Sequence, residues 1–298
     1  MEQALTTAPA SPALRLQPQA APAVYEALIK WEAYANGDYQ VSDIRKVVAV
    51  QVRRAGPGYA IEFSTSPPQL TKPEDLESLE QLALRLAGLY ARVVVEADRT
   101  GHFTGLLNHE ELRQTWARLS ADLRAMSLPG DEVTGTLLGF LDRQLQSSAQ
   151  FLESLGYDYL YQALLPAFYE QPLGQPGVTR PRWFPKFFDK VPLCFAERVA
   201  VRPDPTAGQL ALELTGTLDT TQTDVAAVQA QITQALGGRQ AADAPASPAA
   251  EVPAPHFGYQ ATYELSPATG LPERVELTAY ARAGLLFNKQ YTLTLTRQ

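Results

Sequence analysis

Asp98, His102, His109, Glu110 and Glu111 fall within one short stretch of the chain. Imidazole and carboxylate together suit a divalent metal such as zinc or manganese. The spacing matches no compact ligand motif, however. Glu110 and Glu111 also have a simpler role, since they fall in the first turn of a helix that Asn108 can cap. Asp98-Arg99-Thr100-Gly101 comes close to the Asp-Thr-Gly of aspartic proteases. Arg99 separates the two residues that must be adjacent, and that chemistry needs a second carboxylate sharing one proton. The segment reads as a turn. A hydrolase using Asp98 and Glu110 would need the pair about 5–10 Å apart across a cleft. The lone cysteine, Cys194, lies between Leu193 and Phe195 and reads as a buried, inert thiol.

The chain holds no phosphate-binding glycine loop, no dinucleotide fingerprint, no nucleophile elbow and no His-Glu-x-x-His pair. No catalytic residue, metal or cofactor is therefore assigned. The most conspicuous chemistry is aromatic. Between residues 151 and 188 lie Phe151, Tyr157, Tyr159, Tyr161, Phe168, Tyr169, Trp183, Phe184, Phe187 and Phe188. Tyrosine and tryptophan suit surfaces where one end of the ring stays wet. Tyr157, Tyr161, Tyr169, Trp183, Phe184 and Phe187 are taken as the candidate site for a protein partner or an apolar small molecule. Packing of a helical layer on a sheet is the competing role for the same rings.

Strands and helices must position these residues. From 24 to 66 the pattern has period two: Val48, Val50 and Val52 alternate with polar residues, and Tyr59, Ile61 and Phe63 return after Gly56-Pro57-Gly58. Leu76, Leu79, Leu82, Leu86 and Leu89 mark a helical face after Pro73-Glu74-Asp75, and Leu112, Trp116, Leu119 and Leu123 mark a second. Residues 131–169 read as helical with a break near Gly156, and 171–182 as a Pro/Gly-rich loop. Strand patterning returns at Leu210, Leu212 and Leu214. A short helix spans 222–236, and alternation resumes at Tyr259 and runs to Leu295. Thr-Gly pairs at 100–101 and 269–270 each sit between strand-like runs, a faint internal echo.

The expected fold is α+β, a curved antiparallel sheet from N- and C-terminal strands, covered on one face by the central helical segment. Residues 1–23, rich in Ala, Pro and Gln, read as a disordered tail. Residues 24–298 read as one domain carrying a long Pro/Ala-rich loop at 237–256. The 298 residues are 45% hydrophobic and carry a net charge of −7. That acidity, without a Lys/Arg cluster, argues against nucleic-acid binding. No run approaches the length that spans a bilayer, and no secretory signal is visible, so cytoplasm is the expectation. Together these features point to a non-enzymatic binding or assembly module using its aromatic surface. A carrier of an apolar or lipid-like ligand in a half-open sheet is the alternative, and a carboxylate-dependent hydrolase the third.

Overall fold

The computed structural model describes residues 14–70, 78–126, 132–166, 168–173, 178–188, 191–202, 210–237 and 253–298. β1 (Ala23–Ala35), β2 (Asp38–Ala55) and β3 (Gly58–Thr65) form the expected meander. Asn36 and Gly37 both take positive φ, the backbone that a two-residue hairpin needs to match strand twist. A short β4 (Gln69–Leu70) adds beside β2. Then come α1 (Ser78–Leu86), a 3-10 turn (Ala87–Tyr90), and the hairpin of β5 (Arg92–Ala97) and β6 (Phe103–Leu106). The helix start expected at 73–75 lies outside the described residues.

Four helices follow: α2 (His109–Met126), α3 (Glu132–Gln146), α4 (Ser148–Gly156) and α5 (Tyr159–Leu164). The stretch expected to be helical over 131–169 is therefore three helices. It breaks at Gly156, and again where the Ser147 hydroxyl caps α4 by accepting from the Gln150 amide. β7 (Thr179–Phe188), β8 (Val191–Arg202) and β9 (Leu210–Leu218) precede α6 (Val225–Gly237), and β10 (His256–Leu265), β11 (Pro272–Ala283) and β12 (Phe287–Arg297) end the chain. Part of the expected loop at 171–182 is thus strand. Pro181 and Pro185 hide it from pattern reading, but among the described residues β7 pairs only with β8, and an edge strand tolerates missing amide donors.

Every pairing is antiparallel, in the order β6-β5-β3-β2-β1-β12-β11-β10-β9-β8-β7. The last strand lies against the first, which joins the two strand blocks into one sheet. The sheet does not close, and β6 and β7 are its ends. Registration carries the apolar pattern across strands. Leu214, Ala261, Leu277, Leu293 and Ile29 form one row over five strands, while the next row holds Glu213, Thr262, Glu276, Thr294 and Leu28. The first row is buried except for a partly exposed Ile29, so a one-residue slip would turn it toward water.

The two Thr-Gly turns meet on one side chain. Tyr169 packs its ring against Gly101, where a Cβ would come within 2.8 Å of it, and its hydroxyl donates to the Gly270 carbonyl at 3.2 Å. Both glycines hold positive φ. The N-terminal segment is bound in the same corner. Part of the expected tail is ordered: Leu14 and Leu16 are buried, and the Gln17 amide donates to Thr269 at 2.9 Å. The Tyr59 hydroxyl donates to the Leu16 carbonyl at 2.6 Å. Residues 1–13 lie outside the described residues.

A Cβ on Gly270 would fall 2.2 Å from the Arg15 carbonyl oxygen, at a φ of +75° that side chains resist. Gly270→Ala should lower unfolding stability by about 2–3 kcal/mol and speed tryptic cleavage after Arg15. An unchanged denaturation midpoint with unchanged cleavage would show that this corner does not hold the N-terminal segment.

Candidate functional site, two hollows beside α5

α4 and α5 meet at Tyr157-Asp158. The Asp158 carboxylate accepts from the Leu160 amide at 2.8 Å and so starts α5. In this short helix Tyr159, Leu160, Tyr161, Ala163 and Leu164 are all buried. Tyr159 packs on Tyr291 and Phe184, with ring centres 4.8 and 5.0 Å apart, and Tyr161 meets Phe63 edge-on at 4.7 Å.

The six candidate aromatic residues divide accordingly. Tyr169, Phe184 and Phe187 have no exposed surface, so they cannot present a binding face and instead pack the core. Phe184 contacts Phe195 and Tyr259, and Phe187 contacts Trp31. Tyr161 is nearly as buried but borders both hollows described below. Tyr157, 39% exposed, and the partly exposed Trp183 border one of them.

The first hollow, about 320 Å³, lies between the β1–β4 end of the sheet and the α1 region. Ile29, Ile44, Leu70, Leu84 and Tyr90 supply apolar wall. Ser42, Lys46, Thr65, Ser66 and Asp158 are its polar groups, with Tyr161 at its border. Lys46 is registered opposite the buried Ala27, on the row that carries core residues elsewhere, yet it makes no hydrogen bond or ion pair among the described residues. Tyr90 stacks on Phe151 at 5.7 Å; burial first, and Asp158 second, push its hydroxyl up to about 12.

The second hollow is a groove of about 510 Å³ at the gap between the sheet's ends. Gly101, His102 and Phe103 come from the β6 side, Pro181, Arg182 and Trp183 from β7, and Glu153, Tyr157, Tyr161 and Gln162 from α4 and α5. The Tyr157 hydroxyl donates to Glu153 at 3.0 Å. Gln162 gives its amide to the Gly156 carbonyl, while its own side-chain oxygen is buried without a partner.

Most of the groups considered for metal or hydrolytic chemistry are engaged elsewhere. Asp98 accepts from the Thr100 amide and hydroxyl and the His102 amide, at 2.8, 2.7 and 3.1 Å. Partial burial works against its charge, but these bonds outweigh it and hold the carboxyl below the usual aspartate range. Glu110 pairs with Arg113, Glu111 with Arg92, and the His109 ring meets the Leu145 carbonyl at 2.8 Å. Cys194 is buried, and burial pushes its thiol up.

Sequence reasoning missed Lys46 and Arg182. A signal existed for Lys46: running the Val48, Val50, Val52 alternation backwards places it inward. For Arg182 there was none, because β7 itself was not recognised.

The chain matches no known family model, and no curated protein matches it in sequence.

Tyr161→Ala should cost about 3–4 kcal/mol of stability, whereas Tyr157→Ala should stay within about 0.5 kcal/mol of wild type. Urea titration of both variants checks this, and equal effects would refute the division of the cluster. Asp98→Ala should cost about 1 kcal/mol near neutral pH. A depressed carboxyl pKa stabilises the fold above the unfolded value and ceases to as pH falls through the folded one. The gap between wild type and Asp98→Ala should therefore narrow in acid, which denaturation at several pH values measures.

Proposed function

We propose that this chain is a binding protein for an apolar small molecule with one polar end, held in the hollow between β1–β4 and the α1 region. In this reading the helices lie over one face of a curved, open sheet, and the ligand occupies the part of that face the core does not fill. The observation that carries it is the hollow itself. Its volume of about 320 Å³ falls within the range of small-molecule sites, about 300–1,000 Å³. Mostly apolar walls with a few convergent polar groups are the usual lining of such sites. Lys46 makes an acidic head group the favoured polar end, because a half-buried ammonium that pairs with none of the described residues gains most from an opposite charge. The engagement of Asp98 in its turn and of Glu110 with Arg113 speaks against the hydrolase alternative.

Native mass spectrometry of the gently purified protein is expected to show an adduct of a few hundred daltons or, after its removal, saturable uptake of decanoate. Ala87→Trp fills the hollow and should abolish uptake. Lys46→Met should bring decanoate down to the affinity of decanol, a loss of about tenfold. Uptake that survives Ala87→Trp unchanged would place the ligand elsewhere and end this assignment.

A further inference from the structure

At the end of the strands away from Tyr169, the β1–β2 and β11–β12 turns lie side by side. The Asn36 amide donates to the Leu286 carbonyl at 2.9 Å and joins them. The β11–β12 turn is closed by its own backbone: Gly284 takes positive φ, and the Leu286 amide returns to the Ala283 carbonyl at 3.3 Å. Nothing in that closure asks for an apolar residue at 285, where turns favour Asn, Asp, Ser or Gly. Yet Leu285 is 92% exposed, Tyr39 is 59% exposed, and Leu286 stands partly in water beside them. One exposed leucine is ordinary, but large apolar side chains gathered on one tip are a mark of contact.

Registration sets a belt directly behind this tip. Tyr39, Tyr34, Asn288, Arg282 and His256 form one row across β2, β1, β12, β11 and β10. The row alternates with the buried Ala281, Ala283 and Phe287, so it belongs to the outer face, and it holds no carboxylate. Arg282 is exposed, lies over the Tyr280 ring at 4.6 Å, and donates to Asn288 and Gln290 at 3.0 and 3.3 Å. It forms no ion pair among the described residues. Glu276 is the last acidic residue of the chain, and Arg282, Lys289 and Arg297 follow it in a protein of net charge −7. Asp38 comes after the first turn but lies on the inward row, opposite Ala35. Glu32, one row further back, is held by the Tyr39 hydroxyl at 2.6 Å and by Lys30 at 2.9 Å. Leucine at the tip with tyrosine and arginine behind it is the depth order of side chains that enter a lipid surface. Leucine reaches the acyl chains, tyrosine takes the headgroup level, and a guanidinium pairs with phosphate.

We propose that these two turns dock on a lipid surface carrying anionic headgroups. Leu285 and Leu286 enter the acyl boundary, and Arg282 pairs with a headgroup phosphate. The assignment does not depend on the hollow near Lys46. A protein partner fits less well, because three apolar side chains on a tip fall far short of the roughly 20–30 residues a side of a stable interface. Two leucines and one arginine give a weak, reversible hold rather than an anchor.

The test mixes the full chain with vesicles of phosphatidylcholine, alone or equimolar with phosphatidylglycerol, and reads the bound fraction by flotation. Binding is expected on the mixed vesicles, and at least about threefold less on phosphatidylcholine alone. Leu285→Ser combined with Leu286→Ser should lower partition about tenfold. Arg282→Gln should weaken binding about fivefold on the mixed vesicles and leave the phosphatidylcholine value unchanged. Leu107→Ser, at an exposed apolar residue away from the tip, should change neither. All these side chains reach solvent, so melting temperatures should match wild type and separate lost binding from lost folding. Sedimentation of the lipid-free protein examines the competing occupant: a self-association abolished by the double serine variant would give the tip to a second copy and overturn the proposal. So would a wild-type chain that floats with neither vesicle, or flotation that the double serine variant keeps in full.

Discussion

An antiparallel sheet that does not close has no strand pairing to hold its ends at a fixed distance. Side chains on its inner face must do so, and Tyr169 is the clearest case. Its ring rests against the β5–β6 turn while its hydroxyl holds the β10–β11 turn. One rigid side chain therefore spans turns that lie six places apart in the strand order. Glycine at 101 and 270 is required twice over, for a backbone that takes positive φ and for room beside the ring and the Arg15 carbonyl. The buried N-terminal segment then packs behind Gly270. Loss of this contact would release both turns and the segment, because each leans on the same corner.

The inner face is built by a second rule, in which large rings are accommodated by missing ones. A Cβ on Gly216 would strike the Tyr259 ring at 2.7 Å and Phe195 at 2.9 Å. The ring of Tyr259 therefore lies flat across the neighbouring strand, toward Phe195 and the Glu197 row. That ring lies beside Phe184, and the Arg182 guanidinium stands near both, 5.9 and 5.8 Å from their centres. Burying Glu197 beside a partly buried Arg180 is a poor way to gain stability compared with apolar residues of the same volume.

Much of the sheet was legible in the sequence for a plain reason. β1–β3 and β10–β12 are each buried on one side over most of their length, so period two shows directly, and Asn36-Gly37 and Gly56-Pro57-Gly58 fix the turns. Where the signal failed, tertiary context had overridden composition. Residues 14–22 look like an unstructured Ala/Pro/Gln tail, and the order comes from burial of Leu14 and Leu16 and from hydrogen bonds to Thr269, Val52 and Tyr59, all distant in sequence. β7 carries two prolines and is strand only because its outer edge needs no ladder. The candidate site was half legible. Composition pointed to Tyr157, Tyr161 and Trp183, which line the groove, but it could not separate Trp183 from Phe184, adjacent residues that differ in burial because a strand alternates. Lys46 and Ser42 reach their hollow from strands far in sequence from α5, a conjunction that no local pattern encodes.

The ends of the sheet carry one more consequence. β6 is four residues long, and β7 has Pro181 and Pro185 with a register break between Phe184 and Phe188. A long sheet with two open borders is a template on which further chains could crystallise strand by strand. Here one border is too brief to seed that growth and the other is missing donors at intervals. Colloidal safety is thus written into the same strands that frame the groove, and any change that lengthened β6 or replaced those prolines would trade solubility for a stickier rim.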